Sequence, residues 1–460
     1  MAAEDEENVA DERTVILEAL VFIEKNDVYA DSVIKDVLDK YSYLPSSSRA
    51  FIKRVLEGST ERRIELDHII DQVSKTPVNR MKPVIRSIMR MSVYQLKYMD
   101  SVPASAAINE AVSLAGRKGF KTLKAFVNGV LRNIERNLDR ISYPDRNTDP
   151  GSFLSIRYSC PLWLTEHLIS ERGFEYAKRM LESSLGARDL TVRTNLSKIS
   201  VSDLMERLKE EGVDPKEHPY LPYALILKNV ENLRSIKAFK EGLFQVQDVS
   251  SQLAIEAAGI KEGSFVVDVC ASPGGKALHA ADILASFKGG SEGSVLARDL
   301  TENKLALIDE NAARHAFSNI RTGVWDALIY DPGLKEKADL VIADLPCSGI
   351  GIIGRKADIK YRIVKEDLES LSKLQRDILS VVSSYVKKGG RLLYSTCTVD
   401  RCENEDNAAW ITENFPFKPL PLEGVIREVP GCDSFDKGYI QLINGVHLCD
   451  GFFISLFERI

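Results

Sequence analysis

No stretch of this 460-residue chain approaches the roughly 18 to 20 consecutive apolar residues that a membrane-crossing helix needs, so no span is expected. Basic residues are scarce at the start: Met1-Ala2-Ala3-Glu4-Asp5-Glu6-Glu7 is acidic, which argues against a secretory signal or a transit peptide. Cysteine is sparse and odd in number, seven in all, which favours reduced thiols in a cytoplasm over a disulfide framework. Close C-x₂-C pairs are missing. Cys397 and Cys402 stand too far apart and have too few partners for zinc, so no metal is expected. Positive charge is not in excess either; at a net charge of −6, any nucleic-acid binding has to come from local patches.

What is present, 44% hydrophobic and 28% charged residues, fits soluble globular domains, and the length favours two or three of them. A multidomain fold class follows. An all-α domain is predicted over 1–140, from apolar residues at three-and-four spacing in Val15 to Ile23, Val84 to Leu96 and Ala104 to Leu114. Leu44-Pro45-Ser46, Thr76-Pro77 and Val102-Pro103 break it into six or seven helices. After the polar turn Ser142 to Thr148, a small α/β module is expected over 150–240, with helices at Pro161 to Ile169 and Val201 to Glu211 and strands at Leu190 to Arg193 and Tyr223 to Leu227. From 241 to 460, strands at Phe265 to Val269, Ser294 to Arg298, Ile320 to Val324, Leu340 to Ala343 and Arg391 to Ser395 alternate with helices. That pattern predicts a doubly wound α/β domain, with ligand sites at the carboxyl ends of its strands.

Three motifs fall at such ends. Asp268-Val269-Cys270-Ala271-Ser272-Pro273-Gly274-Gly275-Lys276 carries adjacent glycines that let backbone N–H groups approach a ligand at a helix N-terminus. It lacks the G-x-G-x-x-G of a dinucleotide site and the G-x-x-x-x-G-K-[ST] of a phosphate loop, so a different nucleoside is favoured. Asp299 ends the next strand, where a carboxylate accepts ribose hydroxyls, and Trp325-Asp326 ends a third, where it can meet an adenine amine. The alternative, that both aspartates are plain helix caps after strands, is the lesser reading given their joint position along the sheet edge. The other motifs are Asp344-Leu345-Pro346-Cys347-Ser348-Gly349 and Tyr394-Ser395-Thr396-Cys397-Thr398. Cys160, Cys432 and Cys449 read as small buried hydrophobes, whereas Cys347 and Cys397 sit on strand-exit turns among small and hydroxyl residues.

A thiol beside a bound adenosyl group suits methylation of a pyrimidine carbon. Cytosine C5 is a poor nucleophile until a thiolate adds at C6, which turns C5 into an enamine carbon able to take a methyl group from a sulfonium. Asp344 is placed to hold the base through its N3 edge. The C5 proton must then leave, so a second acid/base group is useful. The residues alone leave the two thiols unranked.

These motifs, with Phe244-Gln245-Val246-Gln247-Asp248 and Glu403-Asn404-Glu405, make the C-terminal region resemble the RNA 5-methylcytosine methyltransferases of the NOL1/NOP2/Sun class. The helical region resembles NusB-type RNA-binding domains in Tyr94-Gln95-Leu96, Ile108-Asn109-Glu110-Ala111-Val112 and Phe126 to Arg132. Their pairing is that of bacterial Sun-type enzymes, and it covers nearly the whole chain. The resemblance implies a Rossmann-like class I methyltransferase domain, small-subunit (16S) ribosomal RNA as substrate and S-adenosyl-L-methionine as donor. It implies Cys397 as nucleophile, Cys347 as the residue assisting release, and cofactor contacts along Cys270 to Lys276 and at Asp299, Asp326 and Asp344. Departures from the family pattern occur at Ala277, where threonine is common, at Cys160 and Leu162, and at Asn444.

RNA contact is then expected from patches. Lys82, Arg86 and Arg90 share a helix face, and Arg117 to Arg140 holds seven basic residues against Glu135 and Asp139. Arg355, Lys356, Lys360 and Arg362 follow the Cys347 loop and are expected to guide the strand inward. The target cytosine is expected unpaired or flipped, and the chain monomeric. Two other classes stay open: a catalytically silent RNA-binding factor, against which intact Cys397, Cys347 and Asp344 speak, and a small-molecule or protein methyltransferase. An exocyclic-amine enzyme would show Asp/Asn-Pro-Pro-aromatic where this chain has Asp344-Leu345-Pro346-Cys347.

Overall fold

The computed structural model describes residues 11–186, 189–230, 232–287, 293–356, 358–422, 429 and 437–460. Cys432 lies outside them. Contacts divide the chain into two units. One reaches to Leu185 and includes Ile353–Ile363; the other comprises Gly186–Ile352 and Val364–Ile460.

The first unit is helical. α1 (Glu12–Asn26), α2 (Ala30–Lys40), α3 (Ser46–Glu61), α4 (Arg63–Val73), α5 (Pro83–Tyr98), α6 (Ala104–Arg117) and α7 (Lys124–Asn137) are followed by α8 (Pro150–Arg157), α9 (Leu162–Arg172) and α10 (Phe174–Ser184). Proline marks several starts, as its fixed φ and missing N–H allow: Pro45 and Pro103 directly precede α3 and α6, and Pro83 is the first residue of α5. The apolar stripes meet in one core containing Ile16, Ile52, Leu66, Ile88, Ile108 and Leu131, all fully buried.

Two expectations about charge are corrected here. Arg86 pairs with Glu24 at 2.6 Å, and Arg90 pairs with Asp67 at 2.7 Å. Both guanidiniums are largely buried, so opposite charge already neutralises them and only Lys82 of that trio is left for phosphate. Likewise Lys360 is fully buried with its Nζ donating to the Tyr158 carbonyl, and burial pushes it down to about 8. Arg362 donates to the carbonyls of Asp27 and Val28 and pairs with Asp358. These two side chains anchor the segment Ile353–Ile363 among helices of this unit and cannot guide RNA. The Asp358 carboxylate, which accepts from the Ala30 N–H at 2.8 Å, and the Tyr361 hydroxyl, 2.7 Å from the Glu61 carbonyl, complete the anchor.

The second unit opens with β1 (Leu190–Thr194), α11 (Val201–Glu210), β2 (Asp214–His218), β3 (Leu221–Lys228), α12 (Lys237–Lys240) and β4 (Phe244–Val246). They form an antiparallel sheet in the order β2-β3-β1-β4. β2 contains Pro215, tolerable because β2 is an edge strand. Then come α13 (Val249–Ala258), β5 (Phe265–Asp268), α14 (Gly275–Ser286), β6 (Ser294–Asp299), α15 (Glu302–His315), β7 (Ile320–Val324), β8 (Ala338–Asp344), α16 (Lys365–Val382), β9 (Val386–Thr396), α17 (Glu405–Asn414), β10 (Phe417–Pro419), β11 (Tyr439–Leu442) and β12 (Phe452–Arg459).

The larger sheet runs β10-β12-β9-β8-β5-β6-β7, with β11 on β12. β7 through β9 are parallel, as the alternation predicts, while β10, β11 and β12 extend the sheet antiparallel. The order reverses between β5 and β8, the switch point at which such sheets open a crevice beyond their strand ends.

Candidate active site

Parallel pairing brings the two cysteine motifs together. Asp344, the last residue of β8, lies opposite Ser395 of β9, so Cys347 and Cys397 leave neighbouring strands side by side. Their sulfurs are 3.2 Å apart. A disulfide would need about 2.05 Å, and both are free thiols, partly exposed. The hydrogen bond with Cys397, then burial, then the nearby Glu403 charge push the Cys347 thiol well above its ordinary value. The two turns are tied to one another: Ser348 and Thr398 hydroxyls lie 2.6 Å apart, and the Gly351 N–H donates to the Cys397 carbonyl at 3.1 Å. A side chain at Gly351 would strike the Gly451 and Cys397 carbonyls, so the close approach requires glycine.

Asp344 stands between this pair and the glycine loop. One of its oxygens accepts from the Ser395 hydroxyl at 2.9 Å, the other from Lys276 Nζ at 2.6 Å. Lys276 also lies 4.8 Å from the centre of the Phe452 ring.

The loop itself turns out of β5 and into α14. Ala271 N–H bonds the Arg298 carbonyl at 2.8 Å, and Ser272 N–H bonds Asp299 at 2.9 Å. Ser272–Pro273 is a cis peptide. Gly274 has φ +103°, which glycine alone adopts readily, whereas a Cβ on Gly275 would meet, beyond its own helix and among the described residues, only the Gln247 side chain at 3.8 Å. Cys270 is half-buried, and burial followed by the charge of Asp268 pushes its thiol up. Asp299 also accepts from Leu300 N–H and from Lys304 Nζ at 2.8 Å; despite burial, these bonds hold it below the usual carboxylate range. Asp326 caps its own turn by accepting from Leu328 N–H at 3.0 Å.

The structure therefore brings the Cys347–Cys397 pair and the Asp344–Lys276 pair to the exits of adjacent strands and links Ser272 to Asp299. It shows no direct bond from Asp326 to either. Asp268 ends β5 almost fully buried, burial pushes it up to about 8, and its Oδ1 has no hydrogen-bond partner among the described residues.

Sequence reasoning assigned no role to Glu403. It is fully buried behind the Cys347 turn, where it accepts from Ser348 N–H at 3.0 Å and from Gln375 Nε2 at 2.8 Å. Burial pushes it up to about 7. Its sequence signals are its place six residues after Cys397 and its membership of Glu403-Asn404-Glu405, and no periodicity marks either as a contact with a turn more than fifty residues earlier.

Similarity to known proteins agrees with this arrangement. Residues 257–458 match the family model of the 16S rRNA methyltransferase RsmB/F, residues 10–136 that of the NusB family, and residues 160–233 the ferredoxin-like domain of RsmF/B-like methyltransferases. The chain is 34% identical to the probable ribosomal RNA small subunit methyltransferase B of Bacillus subtilis, over 97% of this chain and 98% of that protein. Its counterpart from Synechocystis sp. is 30% identical, over 95% and 97%. The crystal structure of PH0851 shares the fold, with a TM-score of 0.79 at 24% identity over 98% of this chain and 99% of that one. Identity of this extent along the whole length settles the family: the chain belongs to the 16S rRNA methyltransferases of the RsmB/F family.

Proposed function

We propose that this protein methylates C5 of an unpaired cytosine in small-subunit ribosomal RNA, with S-adenosyl-L-methionine as donor and a covalent bond from Cys397 to C6. The observation that carries this reading is the pair of reduced thiols 3.2 Å apart at the exits of adjacent parallel strands, flanked by Asp344. One thiol can bond carbon while the other handles a proton.

The residues at the strand ends suit the donor. Asp299 and Asp344 end β6 and β8, and Asp326 follows β7, a donor set matched to a cationic ligand bearing hydroxyls and an amine. Lys304, half-exposed on Asp299, marks where a ribose hydroxyl would donate. Cys270 to Lys276 would pass beneath the ligand, with Gly275 leaving room for close approach. When bound, the donor supplies an electrophilic methyl group to C5.

The chain's own residues do the rest. Asp344 holds the base at N3. The Cys397 thiol loses its proton by way of Cys347 to solvent, its sulfur forms a bond to C6, and the C5–C6 π pair moves to make C5 nucleophilic. After methylation the C5 proton passes to the Cys347 thiolate left by that loss, the C5–H pair re-forms C5=C6, and the S–C6 bond breaks with its pair returning to Cys397. Base flipping brings C6 within reach, since a stacked helix hides it. The exposed Lys121, Lys124, Arg136 and Arg140, which form no ion pair among the described residues, supply phosphate contacts. Parts 1–140, 150–240 and 241–460 serve RNA binding, support and catalysis, in a monomer working in a reducing cytoplasm.

The test is to incubate the full chain with S-adenosyl-L-methionine and unmethylated small-subunit ribosomal RNA and to identify the methylated nucleoside by mass spectrometry. 5-Methylcytidine is expected. N4-methylcytidine, or methyl groups that survive RNase on protein, would overturn the reading.

A further inference from the structure

We propose that Glu403 is a positioning residue for Cys347: it holds the Cys347 turn by the Ser348 N–H and sets the charge against which Cys347 exchanges its proton. This role rests on the reading of Cys347 as the release group.

The geometry is that of a brace with one arm left open. Glu403 is 0% exposed, and Oε2 takes both of its hydrogen bonds, from Ser348 N–H and from Gln375 Nε2, which also donates to the Pro346 carbonyl. Both residues that flank Cys347 are thus fixed through one side-chain system. Oε1 has no hydrogen-bond partner among the described residues. A carboxylate kept only as a staple would be expected to have both oxygens satisfied, because a buried unpaired oxygen costs free energy.

An oxygen left open can take up a proton without breaking the brace. Burial favours that, putting the group at about 7, so both of its charge states are populated near neutral pH. The groups facing it pull both ways: the hydrogen bonds from Ser348 and Gln375 lower it, by less than burial raises it. Asp400 raises it further and accepts the Glu403 backbone N–H at 3.2 Å. Tyr394 donates to the Glu403 carbonyl, Asn407 lies beside it, and Cys347 and Cys402 are the thiols nearby. Arg376, the cation on the adjoining helix, is engaged with Asn407 at 2.7 Å. Ionised, Glu403 opposes formation of a Cys347 thiolate; protonated, it permits it, while Ser348 N–H stays held in both states.

Glu403→Gln keeps an acceptor for Ser348 N–H and removes the charge. Iodoacetamide alkylation of Cys347 is followed by mass spectrometry from pH 5.5 to 10 in the full-length Cys397→Ser chain, with and without Glu403→Gln. The Gln variant is expected to shift the Cys347 midpoint down by about one pH unit, roughly tenfold faster alkylation below the midpoint. An unchanged midpoint in a folded variant would leave Glu403 a staple and overturn the proposal. If the variant does not fold, the Glu403-containing chain decides alone: an added inflection near pH 7 supports the coupling, and a single thiol titration contradicts it. Alkylation needs neither RNA nor donor. A chain that shows the shift but makes no 5-methylcytidine would therefore sink the functional reading and leave the charge coupling standing.

Discussion

The sulfurs of Cys347 and Cys397 lie 3.2 Å apart although fifty residues separate them in the chain. Their meeting is a property of the sheet. Asp344 and Ser395 are register partners, so residues a few positions past each strand end must emerge at the same rim. The same register lets Ser395 hydrogen-bond Asp344 and lets Asp344 hold Lys276, which ties carboxylate and glycine loop to the strand that leads to Cys397.

The two glycines of that loop should respond differently to a methyl group. Gly274 sits at φ +103°, with a Cβ 3.2 Å from Leu278, so Gly274→Ala is expected to destabilise the protein by about 1 to 2 kcal/mol. Beyond its own helix, the described residue nearest to a Cβ on Gly275 is Gln247, at 3.8 Å. Gly275→Ala should keep its melting temperature within a degree or so and weaken S-adenosyl-L-methionine binding at least tenfold, as measured by calorimetry. Unchanged affinity would remove the loop from the cofactor site.

Basic residues on the helical unit should divide into two kinds. Neutralising Lys121, Lys124, Arg136 and Arg140 to Gln is expected to lower the slope of log K for RNA against log salt by roughly 3 while leaving stability unaltered. Arg86→Gln and Arg90→Gln, which break pairs with Glu24 and Asp67, should instead lower the melting temperature and leave that slope unchanged. Equal slopes for both sets would contradict the assignment of the surface.

Asp268 predicts the pH dependence of stability. Its folded value, about 8, lies above the ordinary 3.8, so between those values the native state keeps a proton that the unfolded chain has lost. Stability from this group is therefore full below about pH 4 and falls as pH rises to about 8. Asp268→Asn should shrink the drop in melting temperature between pH 5 and pH 8 by several degrees. An identical drop in both proteins would refute the assignment.

Cys347, Cys397 and the glycine loop were legible in the sequence because short apolar strands followed by small residues mark strand ends, and the alternation with helices puts those ends on one edge. Ranking the thiols needed the family resemblance. Glu403 was not legible: its partner Ser348 is distant in sequence, and only the folded turn brings them together. Charge misled most. Arg86, Arg90, Lys360 and Arg362 read as an RNA face, yet their counter-charges and carbonyl partners, Glu24, Asp67, Tyr158 and Asp27, come from other segments that spacing along the chain does not reveal. The antiparallel strand Phe452–Arg459 also went unassigned, since no alternation with helices announces it.

The central claim, a bond from Cys397 to the base, is tested most directly on a denaturing gel. Wild type, Cys347→Ala, Cys397→Ala and the double variant are each incubated with S-adenosyl-L-methionine and unmodified small-subunit ribosomal RNA. A protein band shifted by attached RNA should accumulate in Cys347→Ala and be absent from both Cys397→Ala and the double variant. A shifted band that persists without Cys397, or that requires Cys347 instead, would contradict the account.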